Sequence, residues 1–281
     1  MLTIVNRKIS KQEETKHFKN IKTNGFTVIK NFIPKNIIKK YLDLTKEIYR
    51  KQKINLKTPN MWRESGNIYN LQGKSDKFLK IFNSTFLEKI LIKKLNDPYF
   101  RNLAKDKPNY ILNNFKARSS GRSKLHLHID SGIPTGDVTT FIQIMIPLEK
   151  ISEKNGCTIV VPKSHKSKKF ANQKTKKYES LRGEEGDVFI WDGNLWHGSL
   201  PNKSDDNRWA LIATFSSWQF KQSFDIPRTI SQKIYSKLTV KEKNMLGYLS
   251  IPPNSEYKRV TRTISPNELK KNVQHYFPNF K

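Results

Sequence analysis

The sequence predicts one mainly β domain over residues 1–281, with a β-core at about 105–220 and helical or irregular additions at 1–104 and 221–281. Three observations predict it. Short β-branched and aromatic runs recur between turn signals from Asn109 to Ser216, which is strand chemistry. Apolar residues fall at helical spacing before that region, and the chain turns helical and irregular again from residue 225. No internal repeat marks a second domain, so short strands with helical ends form one core.

Residues near 10–24 are polar and read as a helix that Gly25 stops; Phe26-Thr27-Val28-Ile29 then reads as a short strand. Pro34 stands near the next helix start, with Ile37, Ile38, Tyr41, Leu42, Leu44, Ile48 and Tyr49 at helical spacing. Residues 52–73 read as an irregular loop, long enough to be functional, that carries Trp62, Arg63, Tyr69 and Asn70. A helix from Asp76 to Leu95 and a strand from Asn109 to Phe115 follow. Lys116 to Lys124, with Lys116, Arg118, Arg122 and Lys124, reads as a basic loop leading into Leu125–Asp130. Phe141–Ile146 is the most continuous apolar run and suits a strand buried on both sides. Asn155-Gly156 makes a turn before a strand at Cys157–Val161, and residues 163–178, with seven lysines, read as a solvated loop. Strands at Val188–Trp191 and Arg208–Ser216 complete the core.

The 16 Phe, 10 Tyr and 5 Trp are enough for a substantial interior. A single cysteine, Cys157, excludes an internal disulfide and a cysteine-based zinc site. The N-terminal apolar stretch is too short for a signal peptide, and no apolar run approaches the roughly 18 residues of a membrane span. The expectation is a soluble cytoplasmic protein. The formal charge of +29 points to an anionic partner. Against that, the lysines are scattered, Asn and Ile are abundant alongside them, and no RNA-binding or helix-turn-helix pattern accompanies them. Compositional drift is therefore the stronger reading of the charge, and nucleic acid the weaker partner.

The chemistry concentrates in Leu125-His126-Leu127-His128-Ile129-Asp130 and in Trp196-His197-Gly198-Ser199, about seventy residues later. On a strand, alternate side chains share a face, so His126, His128 and Asp130 are expected together. With His197 from a second strand, two histidines and a carboxylate could hold a metal on one side, the arrangement of non-haem Fe(II) oxygenases. His-x-Asp alone is a weak signal, and His197 alone could equally be a satisfied core histidine.

Separated motifs add to this. Asn24-Gly25-Phe26-Thr27-Val28-Ile29 opens the pattern, and His128-Ile129-Asp130 continues it. Asn155-Gly156 is followed by Pro162-Lys163-Ser164-His165, and Gly186-Asp187-Val188-Phe189-Ile190-Trp191 by Trp196-His197-Gly198-Ser199, Asn202 and Arg208. In order and spacing these resemble the phytanoyl-CoA dioxygenase family of Fe(II)- and 2-oxoglutarate-dependent oxygenases, with Lys163 in place of the family's usual glycine. The resemblance implies a double-stranded β-helix, a jelly-roll or cupin-like barrel. It implies His128, Asp130 and His197 as iron ligands, with His126 packed or lining the pocket and His165 structural. It also implies that Arg208, helped by Ser199, holds the far carboxylate of 2-oxoglutarate; Asn114 is a weaker candidate for its 2-oxo acid end.

The expected activity is a dioxygenase that consumes O2 and 2-oxoglutarate, hydroxylates a small molecule and releases succinate and CO2. Related halogenases replace the carboxylate ligand with a small residue, so Asp130 argues for oxygenation. The basic residues Lys116, Arg118 and Arg122, with Trp62, Arg63 and His126, are the substrate candidates and favour an anionic substrate. One alternative is an oxygenase that docks nucleic acid or another macromolecule on its basic surface. The other is a non-enzymatic metal- or ligand-binding barrel, against which the triad and Arg208 together speak.

Overall fold

The computed structural model describes residues 6–52, 66–99, 107–205 and 207–250. Contacts divide the chain into two compact units, Met1–Tyr69 with Phe115–Thr214, and Asn70–Asn114 with Phe215–Lys281.

The first unit opens with α1 (Lys11–Asn24). Ser10 starts it with a capping box: its hydroxyl accepts from the Glu13 amide, and the Glu13 carboxylate accepts from the Ser10 amide at 3.0 Å. Gly25 ends it in the left-handed conformation, φ 87°. A side chain there would meet His165 Nδ1 at 2.6 Å and Leu195 Cδ1 at 2.7 Å, so the reversal and the packing both require glycine. β1 (Phe26–Ile29) follows, then α2 (Lys35–Lys51), which starts just after Pro34 and buries Ile38, Tyr41 and Thr45.

Two antiparallel sheets pack face to face. The larger takes β2 (Asn67–Tyr69), β3 (Ile111–Ser119), β5 (Phe141–Pro147), β8 (Val188–Asp192) and β10 (Trp209–Ser216) in the order β1-β8-β5-β10-β3-β2. All seven residues of β5 are buried, as its apolar run predicts. The smaller sheet is β4 (Leu125–His128), β9 (His197–Ser199), β6 (Thr158–Val160) and β7 (Glu179–Leu181), in that order. Met145, Phe189, Trp191 and Ala210 of the large sheet meet Val160 and Leu181 of the small one in a common core. Cys157 lies in that core, where burial pushes its thiol up and leaves it a small apolar filler. Trp209 points the other way and receives the edge of Tyr49 from α2, ring centroids 5.0 Å apart. Among the described residues no ladder joins the two sheets, so they form an open sandwich rather than a closed barrel.

In the second unit the helix Thr85–Leu95 is capped by Ser84, and Phe82 and Tyr110 both meet Phe215 edge-on, at 5.1 and 5.8 Å. Lys80 and Glu242 pair at 2.6 Å, largely shielded from water. One-turn helices at Ile226–Thr229 and Gln232–Tyr235 and the short helix Val240–Met245 fit the helical, irregular end expected after residue 225.

Four local readings are corrected. The helix expected over Asp76–Leu95 splits into a 3-10 stretch, Asp76–Phe82, and the helix from Thr85. Phe78, Leu79, Ile81 and Phe82 satisfy both periods, and Ser84 breaks the run by capping a new helix. β2 and the turn Leu71–Lys74 replace the end of the irregular loop. β3 continues to Ser119, so Lys116 and Arg118 are strand residues, not loop. The lysine-rich segment 163–178 is not merely solvated: Ser164–Lys166 forms a 3-10 turn, and Gln173 and the Lys169 carbonyl bond to the core.

Lys163 adopts φ 68°, the left-handed region where the family's pattern carries glycine. That conformation costs an L-residue about 1–2 kcal/mol, against about 0.5–1 kcal/mol for the extra freedom glycine loses on folding. Lys163→Gly is therefore expected to raise stability by about 0.5–1 kcal/mol, read as a higher midpoint in urea at unchanged slope. A lower midpoint would mean that the Lys163 side chain makes contacts that outweigh the strain.

Candidate metal centre and its cleft

β4 is the outer strand of the small sheet, and its ladder to β9 shifts register between Leu125, opposite Ser199, and His128, opposite His197. The irregularity separates the two histidines of His-x-His. His126 turns its ring to solvent and contributes only its carbonyl, which accepts a hydrogen bond from His128 Nδ1 at 2.9 Å. The expected common face for His126, His128 and Asp130 therefore holds for the last two alone. His197 Nδ1 likewise donates to the Leu195 carbonyl at 2.9 Å. A carbonyl can only accept, so both rings carry a proton on Nδ1 and turn Nε2 toward the site.

Both Nε2 atoms converge on Asp130. Its Oδ1 lies 3.7 Å from His128 Nε2 and its Oδ2 3.1 Å from His197 Nε2. Three ligand atoms, one from each residue, lie within 4.8 Å of one another. The backbone fixes this approach: the amides of Asp130 and Ser131 both donate to the Gly193 carbonyl, at 2.8 and 3.1 Å. Gly198 keeps the two strands close, because a Cβ there would stand 2.5 Å from the Leu125 carbonyl.

Burial opposes ionisation of Asp130, yet the neighbouring His197 and His128 hold its carboxyl well below the usual range. Burial likewise lowers the affinity of His128 for a proton, but Asp130 outweighs it and moves this ring upward. Asp130 Oδ2 is buried, and the only nitrogen beside it among the described residues is His197 Nε2. Two imidazole Nε2 atoms and a carboxylate turned toward one another form a cluster that could hold a metal ion between them. Donors at right angles around a metal with bonds of about 2.1 Å lie about 3 Å apart, close to the 3.1 Å separation here. Two imidazoles and one carboxylate on one side fit Fe(II) with open positions opposite.

Beside His197 runs a cleft lined by Leu125, Trp191, Ser199, Arg118 and Arg208 among others. Ser199 stands two residues from His197 on β9 and so shares its face. Arg208 precedes β10, two residues from the inward-facing Ala210, and points inward as its position predicts. Its Nη2 donates to the Gly156 carbonyl, while its Nε is buried without a partner. Burial first, and the Arg118 charge second, lower its pKa to about 10, so it stays protonated near neutrality. The Trp191 ring sits 5.2 Å from that of His197, and its indole N–H is also buried and unbonded.

The other candidates separate. Lys116 and Arg118 alternate with the buried Phe115 and Ala117 on β3, and Arg118 enters the cleft. Asn114 lies on the same strand with its Oδ1 buried and unbonded. Arg122 is exposed and donates to the Ser204 carbonyl outside the cleft lining. Trp62 and Arg63 lie outside the described residues. Two supports escaped sequence reading. Gln173 brackets the outer strand, its Oε1 accepting from the Leu127 amide at 3.2 Å and its Nε2 donating back to the Leu127 carbonyl. Asn194 pins the loop after Asp130 through Ser131 and Thr135 at 2.8–3.1 Å. The Asp192-Gly193-Asn194 turn residues before His197 are a local signal for the second that the sequence reading passed over; nothing local marks the first.

Comparison with known proteins fits this geometry. Relatives include the dioxygenase cdmA of Talaromyces verruculosus, 29% identical over 119 residues, covering 41% of this chain and 39% of that protein. Uncharacterized protein Rv1501 of Mycobacterium tuberculosis is 26% identical over 111 residues, 39% of this chain and 41% of that protein. The chain spans about two-fifths of the length of these relatives. Among solved structures, HygX from Streptomyces hygroscopicus, with nickel and 2-oxoglutarate bound, aligns with a TM-score of 0.60 at 13% identity, over 77% of this chain and 90% of that one. SnoN, the non-heme alpha ketoglutarate dependent epimerase of nogalamycin biosynthesis, aligns with a TM-score of 0.58 at 12% identity, over 74% and 84%. These likenesses establish the jelly-roll fold. The sequence model of phytanoyl-CoA dioxygenase (PhyH) matches residues 21–210, which run from the last turn of α1 into β10. On that match over most of its length, the chain belongs to the phytanoyl-CoA dioxygenase family.

Proposed function

We propose that this protein is an Fe(II)- and 2-oxoglutarate-dependent dioxygenase that hydroxylates a small anionic molecule and releases succinate and CO2. One observation carries the reading: a two-histidine, one-carboxylate cluster lies beside a cleft that contains a buried arginine with no carboxylate partner among the described residues. His128, Asp130 and His197 hold the metal. Iron with bound 2-oxoglutarate supplies the O2 chemistry, and the chain supplies orientation and exclusion of water.

Arg208 receives the far carboxylate of 2-oxoglutarate, its free Nε satisfied in the process, with the Ser199 hydroxyl beside it. The carbonyls of His126 and Leu195 lock each imidazole so that Nε2 faces the metal throughout turnover. Trp191 and Leu125 wall the cleft against solvent. The family match crosses residues of both compact units, which supports a single dioxygenase domain. The nucleic-acid alternative is disfavoured because the cations next to the triad are enclosed. Several outer lysines meanwhile pair with their own helix's acids, as Lys39 does with Asp43 and Lys51 with Glu47.

The test is succinate formation from 2-oxoglutarate in the presence of Fe(II) and O2, screened against organic acids and phosphate esters, with 18O2 to follow the atoms. The expected result is metal-dependent succinate release stimulated by one compound class, with one labelled oxygen in the product. Stimulated succinate release with an unlabelled, stereochemically inverted product would replace hydroxylation by epimerisation. No metal-dependent turnover of 2-oxoglutarate would overturn the reading.

A further inference from the structure

Six large apolar side chains are exposed among the described residues, and four of them lie on two loops of the first unit. Ile133 and Val138, each 63% exposed, belong to residues 131–139; Phe170 and Tyr178, at 65% and 42%, belong to the lysine-rich segment 163–178. The loops touch, because a Cβ on Gly136 would stand 2.7 Å from Lys168 Cγ. Single exposed apolar residues need no explanation, but a concentration of them on adjoining loops marks an interaction site.

Both loops are firmly held. Asn194 accepts from the Ser131 hydroxyl at 3.0 Å and donates to the Val138 carbonyl at 3.2 Å. The Ser164 hydroxyl accepts from the Trp196 amide at 2.8 Å, and the Lys169 carbonyl from the Trp196 indole at 3.0 Å. Gln173 brackets Leu127. Three of the groups held in this way are next in sequence to the triad: Ser131 to Asp130, Trp196 to His197 and Leu127 to His128. The loops are therefore fixed around the candidate metal centre while they hold apolar side chains in water.

Their charge is equally one-sided. All seven lysines from Lys163 to Lys177 are exposed, and segment 163–178 contains no acidic residue and no arginine. On α2, by contrast, Lys39 and Lys51 pair with Asp43 and Glu47. The matching partner offers dense negative charge with an apolar layer behind it. An anionic lipid surface has both, since its headgroups attract lysines and its interfacial region accepts single large apolar side chains. Nucleic acid has no such layer, and its phosphates favour the arginine fork that this segment lacks. A protein partner packs against a continuous apolar centre, whereas these side chains stand apart along two irregular loops.

We propose that residues 131–139 and 163–178 form a docking surface for an anionic membrane. Ile133, Val138 and Phe170 enter the headgroup layer, and the lysines around them meet the lipid charges. Docking brings the side of the protein that carries the triad to the lipid. It needs no spanning segment, and among the described residues no helix is long and apolar enough to cross a membrane. The assignment does not depend on the oxygenase reading.

Phe170→Cys supplies one reactive thiol, because the other cysteine, Cys157, is buried. The full chain, labelled there with a polarity-sensitive nitrobenzoxadiazole dye, is mixed with phosphatidylcholine vesicles that contain or lack phosphatidylserine. Emission is expected to rise and shift to the blue with the anionic vesicles only, and the same dye on Lys40→Cys of α2 should stay in its aqueous state. In co-sedimentation of the unlabelled protein, changing Lys168, Lys169 and Lys177 together to Gln should weaken binding at least tenfold, since each lysine near such a surface contributes about fivefold. The same loss of charge at Lys8, Lys11 and Lys16 should cost less than about threefold, which separates a docking surface from net charge. Phe170→Ser should weaken binding at least about threefold, with Fe(II) affinity unchanged. The proposal is overturned if the dye at position 170 ignores anionic vesicles, or if the two lysine triplets lose equally. A dye that responds to a DNA duplex or to polyglutamate but not to vesicles overturns it as well, and gives the surface to nucleic acid or to an acidic protein.

Discussion

Asp130→Ala is expected to abolish tight Fe(II) binding while leaving the fold in place. Asp130 is the carboxylate on which both imidazoles converge, at 3.1 and 3.7 Å, and no other acidic group joins the cluster among the described residues. The loss should exceed the roughly 10–100-fold that changes to groups behind metal ligands cost, because a ligand itself is removed. His128→Ala and His197→Ala should behave alike. The surrounding sandwich is held by apolar contacts from Met145, Val160, Phe189 and Ala210, none of which involves the carboxylate. The thermal midpoint should therefore stay within a few degrees of wild type. Iron titration monitored by calorimetry decides it. Wild-type affinity in His128→Ala would return His126 to consideration, although its ring now faces solvent.

The second large effect falls on the co-substrate. Arg208→Lys keeps a positive charge but cannot both hold the Gly156 carbonyl and grip a carboxylate with two parallel N–H groups. Affinity for 2-oxoglutarate is expected to fall by about 1.5–3 kcal/mol, the worth of hydrogen bonds to charged groups, or roughly 10–150-fold. Direct binding to the Fe(II)-loaded protein without O2 measures this apart from turnover. Unchanged affinity would move the far carboxylate to another cation, and Arg118, in the same cleft, would be the first to test.

Much of this protein was legible from local pattern. α1 with its stop at Gly25, the wholly buried β5, the strand before His197 and the inward Arg208 follow from periodicity and turn residues within short windows. The three candidate metal-site residues were named from a resemblance carried by separated motifs, and the structure brings them together. Other features were illegible because their causes lie far away in sequence. The charged strand Lys116-Ala117-Arg118 looks like a loop until its partner β2 and the enclosed cleft explain why lysine and arginine sit half-buried. Gln173 looks like one polar residue in a lysine-rich loop until it closes the exposed backbone of β4.

By itself the sequence determined which residues can form strands and helices, and which side chains can hold a metal and a dicarboxylate. Those properties reside in single residues and their near neighbours. Only the tertiary structure decided which histidine of His126-Leu127-His128 faces Asp130, because a register shift against β9 sets that choice. Only the tertiary structure separated Arg118, in the cleft, from Lys116, half-buried outside its lining, and Arg122 in solvent. Strand alternation puts residues on a face, but the opposing sheet determines what that face encloses.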